Sequence, residues 1–213
     1  MDLVLATRSS HKLGEIRKIL AVVPGLRVLD LDEVGAPYDA AEEDLEPYDT
    51  FEENAASKAS HFQEITGLPT VADDSGIMID LLDGAPGVRS KRFAPERGLE
   101  GLARDQANNE HLLALLGDAA LPKRSARYVC VAVLDRGDPN DVTQVRGEAP
   151  GLILDAPRGS GGFGYDPLFF DEELGQTFAE IAPEEKNVRS HRGKAFRVLA
   201  ERLISTYSPY RGV

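Results

Sequence analysis

The run Tyr128-Val129-Cys130-Val131-Ala132-Val133-Leu134 is apolar at every position. Successive side chains of a strand point to opposite faces. A strand without a polar face must be covered on both sides, which places this one in the middle of a sheet. Leu3-Val4-Leu5-Ala6 reads as a second buried strand. Leu13, Ile16, Ile19 and Leu20 repeat at helical spacing and predict a helix over about 10–21, ended by Pro24-Gly25. Thr50-Phe51-Glu52-Glu53 reads as a capping box that opens a helix to about Ile65, stopped by Gly67. Leu99, Leu102, Leu112, Leu113 and Leu116 predict a further helix near 99–116. Ser190 is the expected N-cap of a last helix carrying Phe196, Leu199 and Leu203. Short strands are expected at 70–72, 77–82, 142–147, 152–154 and 167–170, with 30–49 irregular. Strands and helices alternate early and strands run consecutively in the middle, which predicts an α/β fold with a mixed sheet flanked by helices. The 213 residues show no internal repeat or linker and are read as a single domain over 1–213.

Charge narrows the classes of function. The balance is 24 − 36 = −12, which argues against binding duplex nucleic acid through bulk electrostatics. No apolar run approaches the ~20 residues needed to cross a bilayer. The first residues read as a strand and not as a signal peptide. The one cysteine, Cys130, excludes an intrachain disulfide framework and fits a reducing cytosol, where a buried inert thiol is its expected state. The distribution of charge is uneven. Residues 28–57 hold eleven acids and no Lys or Arg, whereas 186–202 hold six basic residues against Glu201 alone. The acidic block reads as a solvated loop. The basic block, on a predicted helix, is a candidate anion site.

Asp73-Asp74-Ser75-Gly76 lies between two strand-like runs. Aspartate is depleted in strands, and a buried carboxylate needs a cation, a metal or strong donors. Either the pair forms an Asx-turn, or it is a site in which the two carboxylates face different tasks. Three other segments bear on the choice. Thr7-Arg8-Ser9-Ser10-His11-Lys12 joins a strand to a helix start, where backbone N–H groups and the helix dipole favour an anion. Ordinary capping by Ser9 or Ser10 is the alternative. Lys58 falls on the same helical stripe as Phe51 and Phe62, either snorkelling to solvent or held toward an anionic ligand. Gly159-Ser160-Gly161-Gly162-Phe163-Gly164-Tyr165-Asp166 lies too late in the chain, and before the wrong element, for a dinucleotide fingerprint. It is a structural turn, or a flexible backbone that approaches a ligand with Phe163 and Tyr165 available to stack. In the segment from Glu184 through Lys186 to Arg192, Ser190-His191-Arg192 falls at a helix start, where basic residues oppose the dipole. Either an anion or electron-rich ligand explains them, or the helix is simply basic and solvated. No zinc pattern occurs, so a hard cation held by carboxylates and phosphates, Mg²⁺ above all, is the metal to expect.

Taken in order, these segments resemble the inosine triphosphate pyrophosphatase family, hydrolases of non-standard purine nucleoside triphosphates. The match runs through Leu5-Ala6-Thr7 with Lys12, Thr50-Phe51 with Asn54-Ala55 and Lys58-Ala59, Ala72-Asp73-Asp74-Ser75-Gly76, Gly84-Ala85-Pro86-Gly87, Gly162-Phe163-Gly164-Tyr165-Asp166-Pro167, and Glu185-Lys186 with Ser190-His191-Arg192. The resemblance implies an elongated mixed sheet with two lobes and a central cleft, Mg²⁺ dependence, a cytoplasmic setting and usually a homodimer. It implies cleavage of ITP, dITP and XTP between the α and β phosphates. It assigns substrate phosphates to Thr7, Arg8, Ser9, Ser10, His11 and Lys12, and the catalytic, metal-associated acid to Asp74. Asp73 and Lys58 stand beside that acid, with Ser75 on the substrate. The base pocket falls on Phe163, Gly164, Tyr165, Asp166, Lys186, His191 and Arg192. Ser9 stands where the family usually has Asn. The glutamate that assists the metal is Glu42, Glu43 or Glu46, with spacing from Thr50 favouring Glu46.

Overall fold

The computed structural model describes residues 1–207. Its strands are β1 (Asp2–Leu5), β2 (Arg27–Leu29), β3 (Thr70–Ile79), β4 (Ser125–Asp135), β5 (Val142–Ile153), β6 (Phe169–Asp171) and β7 (Gln176–Thr177). Its α-helices are α1 (Ser10–Leu20), α2 (Phe51–Thr66), α3 (Gly101–Leu116), α4 (Pro183–Arg189) and α5 (His191–Tyr207). The strands hydrogen-bond in the order β2-β1-β3-β4-β5-β6-β7. β1 is parallel to β2 and β3, whereas β5, β6 and β7 are antiparallel, so the sheet is mixed as expected. The described residues divide into two compact units: 1–74, 130–147 and 191–207 form the first, 75–129 and 148–190 the second. β3, β4 and β5 contribute residues to both.

In the first unit, β1 pairs Leu5 with Val71 of β3. Leu3, Leu5, Val71, Cys130, Ala132 and Leu134 form one apolar layer with Ile16 and Leu20 of α1 and Phe196, Leu199 and Leu203 of α5. Ser9 caps α1, its hydroxyl accepting from the Lys12 N–H. Thr50 caps α2 by accepting from the Glu53 N–H. The Glu53 carboxylate accepts from the Thr50 hydroxyl and does not reach back to the Thr50 backbone, so the expected capping box is only half made. Gly67 ends α2 in a left-handed conformation.

In the second unit, Tyr128, Phe169 and Phe178 pack ring against ring at 4.6–5.9 Å. Ile77, Ile79, Ile153, Leu168, and Leu112 and Leu116 of α3 close around them. Each fully buried aromatic or aliphatic side chain contributes about 1.5–3 kcal/mol.

Several expectations are corrected. The strands expected at 70–72 and 77–82 are one unbroken strand, Thr70–Ile79, through Asp73 and Asp74, which removes the Asx-turn, and Asp80–Leu82 form a 3₁₀ turn instead of continuing it. Those expected at 142–147 and 152–154 are likewise one strand, because β5 contributes to both cores. β2 and β7 were not anticipated; three and two residues are too few for a period to show. The basic helix is two helices that meet at Ser190. Leu102, expected on the apolar face of α3, is 84 % exposed.

Gly147 passes so close to the His191 carbonyl and the Ala195 amide that a Cβ would overlap backbone atoms of α5. Gly147→Ala is therefore expected to lose about 1–3 kcal/mol in urea unfolding. Gly14, inside α1 with open space around it, should gain about 0.5–1 kcal/mol as Ala. Equal stability of the two variants would contradict this packing.

Candidate active site

Asp73 and Asp74 sit mid-strand, 1 % and 7 % exposed. Alternation along β3 sends their side chains to different partners. Lys12, one turn into α1, donates from Nζ to Asp73 Oδ2 at 2.9 Å. The Arg192 guanidinium, at the start of α5, lies 3.6 Å from the same oxygen and donates to Glu15 at 2.7 Å. Asp73 Oδ1 is buried without a hydrogen-bond partner among the described residues. Asp74 Oδ2 instead accepts from Asn54 Nδ2 at 3.0 Å. Asn54 is itself held by both backbone groups of Tyr48. Asn54 and Lys58 lie one turn apart on α2, so both reach β3. Lys58 donates to the Asp73 carbonyl at 2.7 Å and to Glu46.

The two acids are pushed in opposite directions. Burial works to raise the pKa of Asp73, but Lys12, Arg192 and Lys58 outweigh it and hold the carboxyl below its usual range. Burial raises Asp74 to about 6, helped by the nearby Glu46 charge and opposed by Lys58 and Asn54. Burial also acts on Glu46, where Lys58 prevails and keeps it ionised. Such divergence within one cluster marks a permanent anion beside a group that exchanges protons near neutrality.

In the second unit, Asp166 Oδ2 accepts from Lys186 Nζ at 2.5 Å and from the Phe163 N–H at 2.8 Å. Lys186 Nζ also lies 4.9 Å from the centre of the Phe163 ring. The Tyr165 hydroxyl donates to the Ser90 carbonyl at 2.8 Å.

A model of the Ham1 family matches residues 3–202. The chain belongs to the Ham1 family. Among its Ham1 relatives are a dITP/XTP pyrophosphatase of Geobacter sulfurreducens, 46% identical over 94% of this chain and 96% of that one. A dITP/XTP pyrophosphatase of Frankia alni is 48% identical over 95% and 97% of the two chains. The solved HAM1 protein from Coxiella burnetii superposes with a TM-score of 0.83 at 37% identity, covering 96% of this chain and 99% of that one. The family resemblance read from the sequence is thereby borne out.

Against this frame of Ham1 segments, the expected residues fall into separate groups. Lys12, Lys58, Glu46, Asp73, Asp74 and Arg192 are brought together in the first unit. Arg192 was expected with the base-pocket residues, and its guanidinium is instead engaged by Asp73 and Glu15. Thr7 accepts from the Ser9 N–H, while Ser10 and His11 are exposed at the start of α1. Arg8 was expected on phosphate; it makes a two-pronged pair with Glu42 and donates to the Ala36 carbonyl. That occupies Glu42, and Glu43 accepts from Tyr38, which leaves Glu46 beside the acids. Phe163, Gly164, Asp166 and Lys186 are contiguous in the second unit. Tyr165, expected to be free to stack, is 4 % exposed and belongs to the core. Ser75 is half-buried and His191 is buried at the start of α5. Asn54 and Glu15 were missed as site residues. The visible signal for Asn54 was a second polar group one turn before Lys58 on an otherwise apolar stripe.

A raised folded-state pKa means that Asp74 holds its proton more tightly folded than unfolded. Stability therefore falls as pH rises from about 4 to about 6, and the deficit persists above that window. A shift of this size corresponds to about 3 kcal/mol at most. Asp74→Asn keeps an acceptor for Asn54 and has no charge to bury. Urea unfolding in EDTA is expected to show the variant about 1–3 kcal/mol more stable at about pH 7.5, with the gap shrinking toward about pH 4. A variant no more stable than its parent at the higher pH would show that Asp74 is not strained by ionisation.

Proposed function

We propose that this protein hydrolyses non-standard purine nucleoside triphosphates, namely ITP, dITP and XTP, to the nucleoside monophosphate and pyrophosphate. It acts as one domain over residues 1–213 and cleanses the cytoplasmic nucleotide pool, as a homodimer without nucleic-acid or membrane partners. One observation carries the reading: Lys12, Lys58 and Arg192 are gathered with Glu46, Asp73 and Asp74 around one stretch of β3. Relatives named as dITP/XTP pyrophosphatases, aligned over almost the whole chain, support the substrate class. No helix among the described residues is long and apolar enough to cross a membrane.

The donor set fits a hard divalent cation. Among the described residues no ready cage of three His, Cys, Asp or Glu side chains is formed. Asp73 Oδ1, buried and without a hydrogen-bond partner, nevertheless offers an oxygen, and the repulsion between Glu46 and Asp74 would be relieved by positive charge. Asp74 and Glu46 would hold Mg²⁺, with Asp73 alongside and the remaining ligands from water and phosphate. When bound, Mg²⁺ supplies neutralisation of the charge that develops on the phosphate oxygens.

The chain's own groups perform the rest. Lys12, Lys58 and the hydroxyls and N–H groups of Thr7, Ser9 and Ser10 orient the triphosphate for in-line attack. Asp74 accepts the proton of the attacking water. The water oxygen bonds to the α phosphorus, and the bridging oxygen leaves with pyrophosphate. Asp73 keeps Lys12 and Arg192 in place as a fixed anion. Phe163, Gly164 and Lys186 face the base, with Asp166 setting the ammonium of Lys186. A donor aimed at a 6-oxo group meets another donor in adenine and is left unpaired, which discriminates strongly.

Pyrophosphate release from ITP, dITP, XTP, dUTP, ATP and GTP, with Mg²⁺ and with EDTA, tests the reading. The three non-standard purines are expected to exceed ATP by on the order of a hundredfold in kcat/KM. Preference for dUTP would reassign the substrate to pyrimidines. Tight ITP binding without product would make the protein a sensor. Asp74→Asn is expected to lower kcat by about 10²–10⁴-fold while ITP binding stays measurable.

A further inference from the structure

α3 grips one residue of the glycine-rich segment, Gly164, through the peptide groups on both of its sides. Asp105 Oδ2 accepts from the Gly164 N–H at 2.8 Å. Asn109 Nδ2 donates to the Gly164 carbonyl at 3.0 Å. The two side chains are one helical turn apart and therefore present themselves on the same face. Gly164 sits at φ +63° with open space where a Cβ would point, so its conformation, not crowding, is what the glycine supplies. The same helix holds the adjoining 87–94 segment. Asn108 donates to the Ser90 and Lys91 carbonyls and accepts from the Ala94 N–H. Tyr165 links the two segments through Ser90.

Asn109 carries a cost that the fold does not explain. Its Oδ1 is buried without a hydrogen-bond partner among the described residues. A buried unsatisfied acceptor destabilises, so the amide is retained for the bond that its Nδ2 makes. That bond, with those that Asp105 accepts from the Gly164 N–H and Asp166 from the Phe163 N–H, leaves the backbone around Phe163 with little freedom. Without such ties, a run containing Gly159, Gly161, Gly162 and Gly164 would sample many conformations.

We propose that Asp105 and Asn109 are positioning residues for base selection: they clamp Gly164 by its N–H and its carbonyl and thereby fix the Phe163 ring beneath the Lys186 ammonium. The clamp rests on the reading of Phe163 and Lys186 as the base-facing group. Base discrimination depends on donors and rings held to a fraction of an ångström, which a glycine-rich loop does not provide by itself.

The test uses the full chain and the variants Asp105→Ala, Asn109→Ala and Asp105→Asn. Each is assayed for pyrophosphate release from ITP and ATP, for inhibition by added pyrophosphate, and for Gly164 amide exchange by NMR. The two alanine variants are expected to raise the KM for ITP and to lower the ITP-over-ATP ratio of kcat/KM by about three- to tenfold each, the range of one lost hydrogen bond. Their kcat and pyrophosphate inhibition constant should stay within about twofold of the parent, because those report the phosphate end. Gly164 exchange should quicken in Asp105→Ala and not in Asp105→Asn, whose amide oxygen can still accept the N–H, and Asp105→Asn should recover ITP selectivity. Unchanged KM and selectivity in both alanine variants would overturn the clamp. So would a parallel loss of pyrophosphate inhibition, which marks general unfolding. A parent inactive on every purine triphosphate overturns the functional reading itself before any variant is compared, and the clamp's part in selection falls with it.

Discussion

A carboxylate buried in the middle of a strand is the constraint around which the first unit is arranged. Moving one ion from water into a protein interior costs several kcal/mol even after relaxation. Asp73 meets that cost with Lys12 from α1, Arg192 from α5 and the nearby charge of Lys58 from α2. Three helices far apart in sequence are thus tied to one position of β3. Removing any one cation would leave a buried charge under-compensated, so the site and the packing of that unit are not separable. The apolar layer beneath, from Leu3 and Leu5 to Phe196 and Leu199, supplies the burial that gives these ion pairs their strength.

Asp74 shows the opposite treatment one residue later. It receives a neutral amide donor from Asn54 and a repulsive neighbour in Glu46. The alternation of a strand makes this possible: adjacent residues on one backbone enter two different electrostatic settings. A carboxylate held below its usual pKa range and a carboxyl raised above it then stand side by side with no flexible element between them. Natural sites that depart from the stability optimum in this way do so where chemistry requires it.

Much was legible in the residues themselves, for definable reasons. The apolar run at Tyr128–Leu134 announced a central strand because period two leaves no other way to bury both faces. Lys58 on the stripe of Phe51 and Phe62 was a visible contradiction, resolved by Glu46 and the Asp73 carbonyl. The partner itself could not be read, since Glu46 comes from an irregular acidic segment whose path is set by Arg8 and Asn54. Tyr165 and Phe163 looked equivalent as stacking candidates. Only packing separates a tyrosine with its hydroxyl on Ser90 from a phenylalanine beside Lys186.

The order of residues by itself determined the α/β class, the helix ends at Thr50 and Gly67, and the family, because these depend on periods, caps and motifs carried by contiguous residues. Tertiary structure alone decided that 70–79 is one strand, that Arg8 serves the acidic segment, that Arg192 answers Asp73, and that Asp73 and Asp74 differ in acidity. Those outcomes rest on distances between charges brought together from distant parts of the chain and on how much water is excluded around them. Electrostatic energy varies with both, and neither is written in any local stretch of sequence.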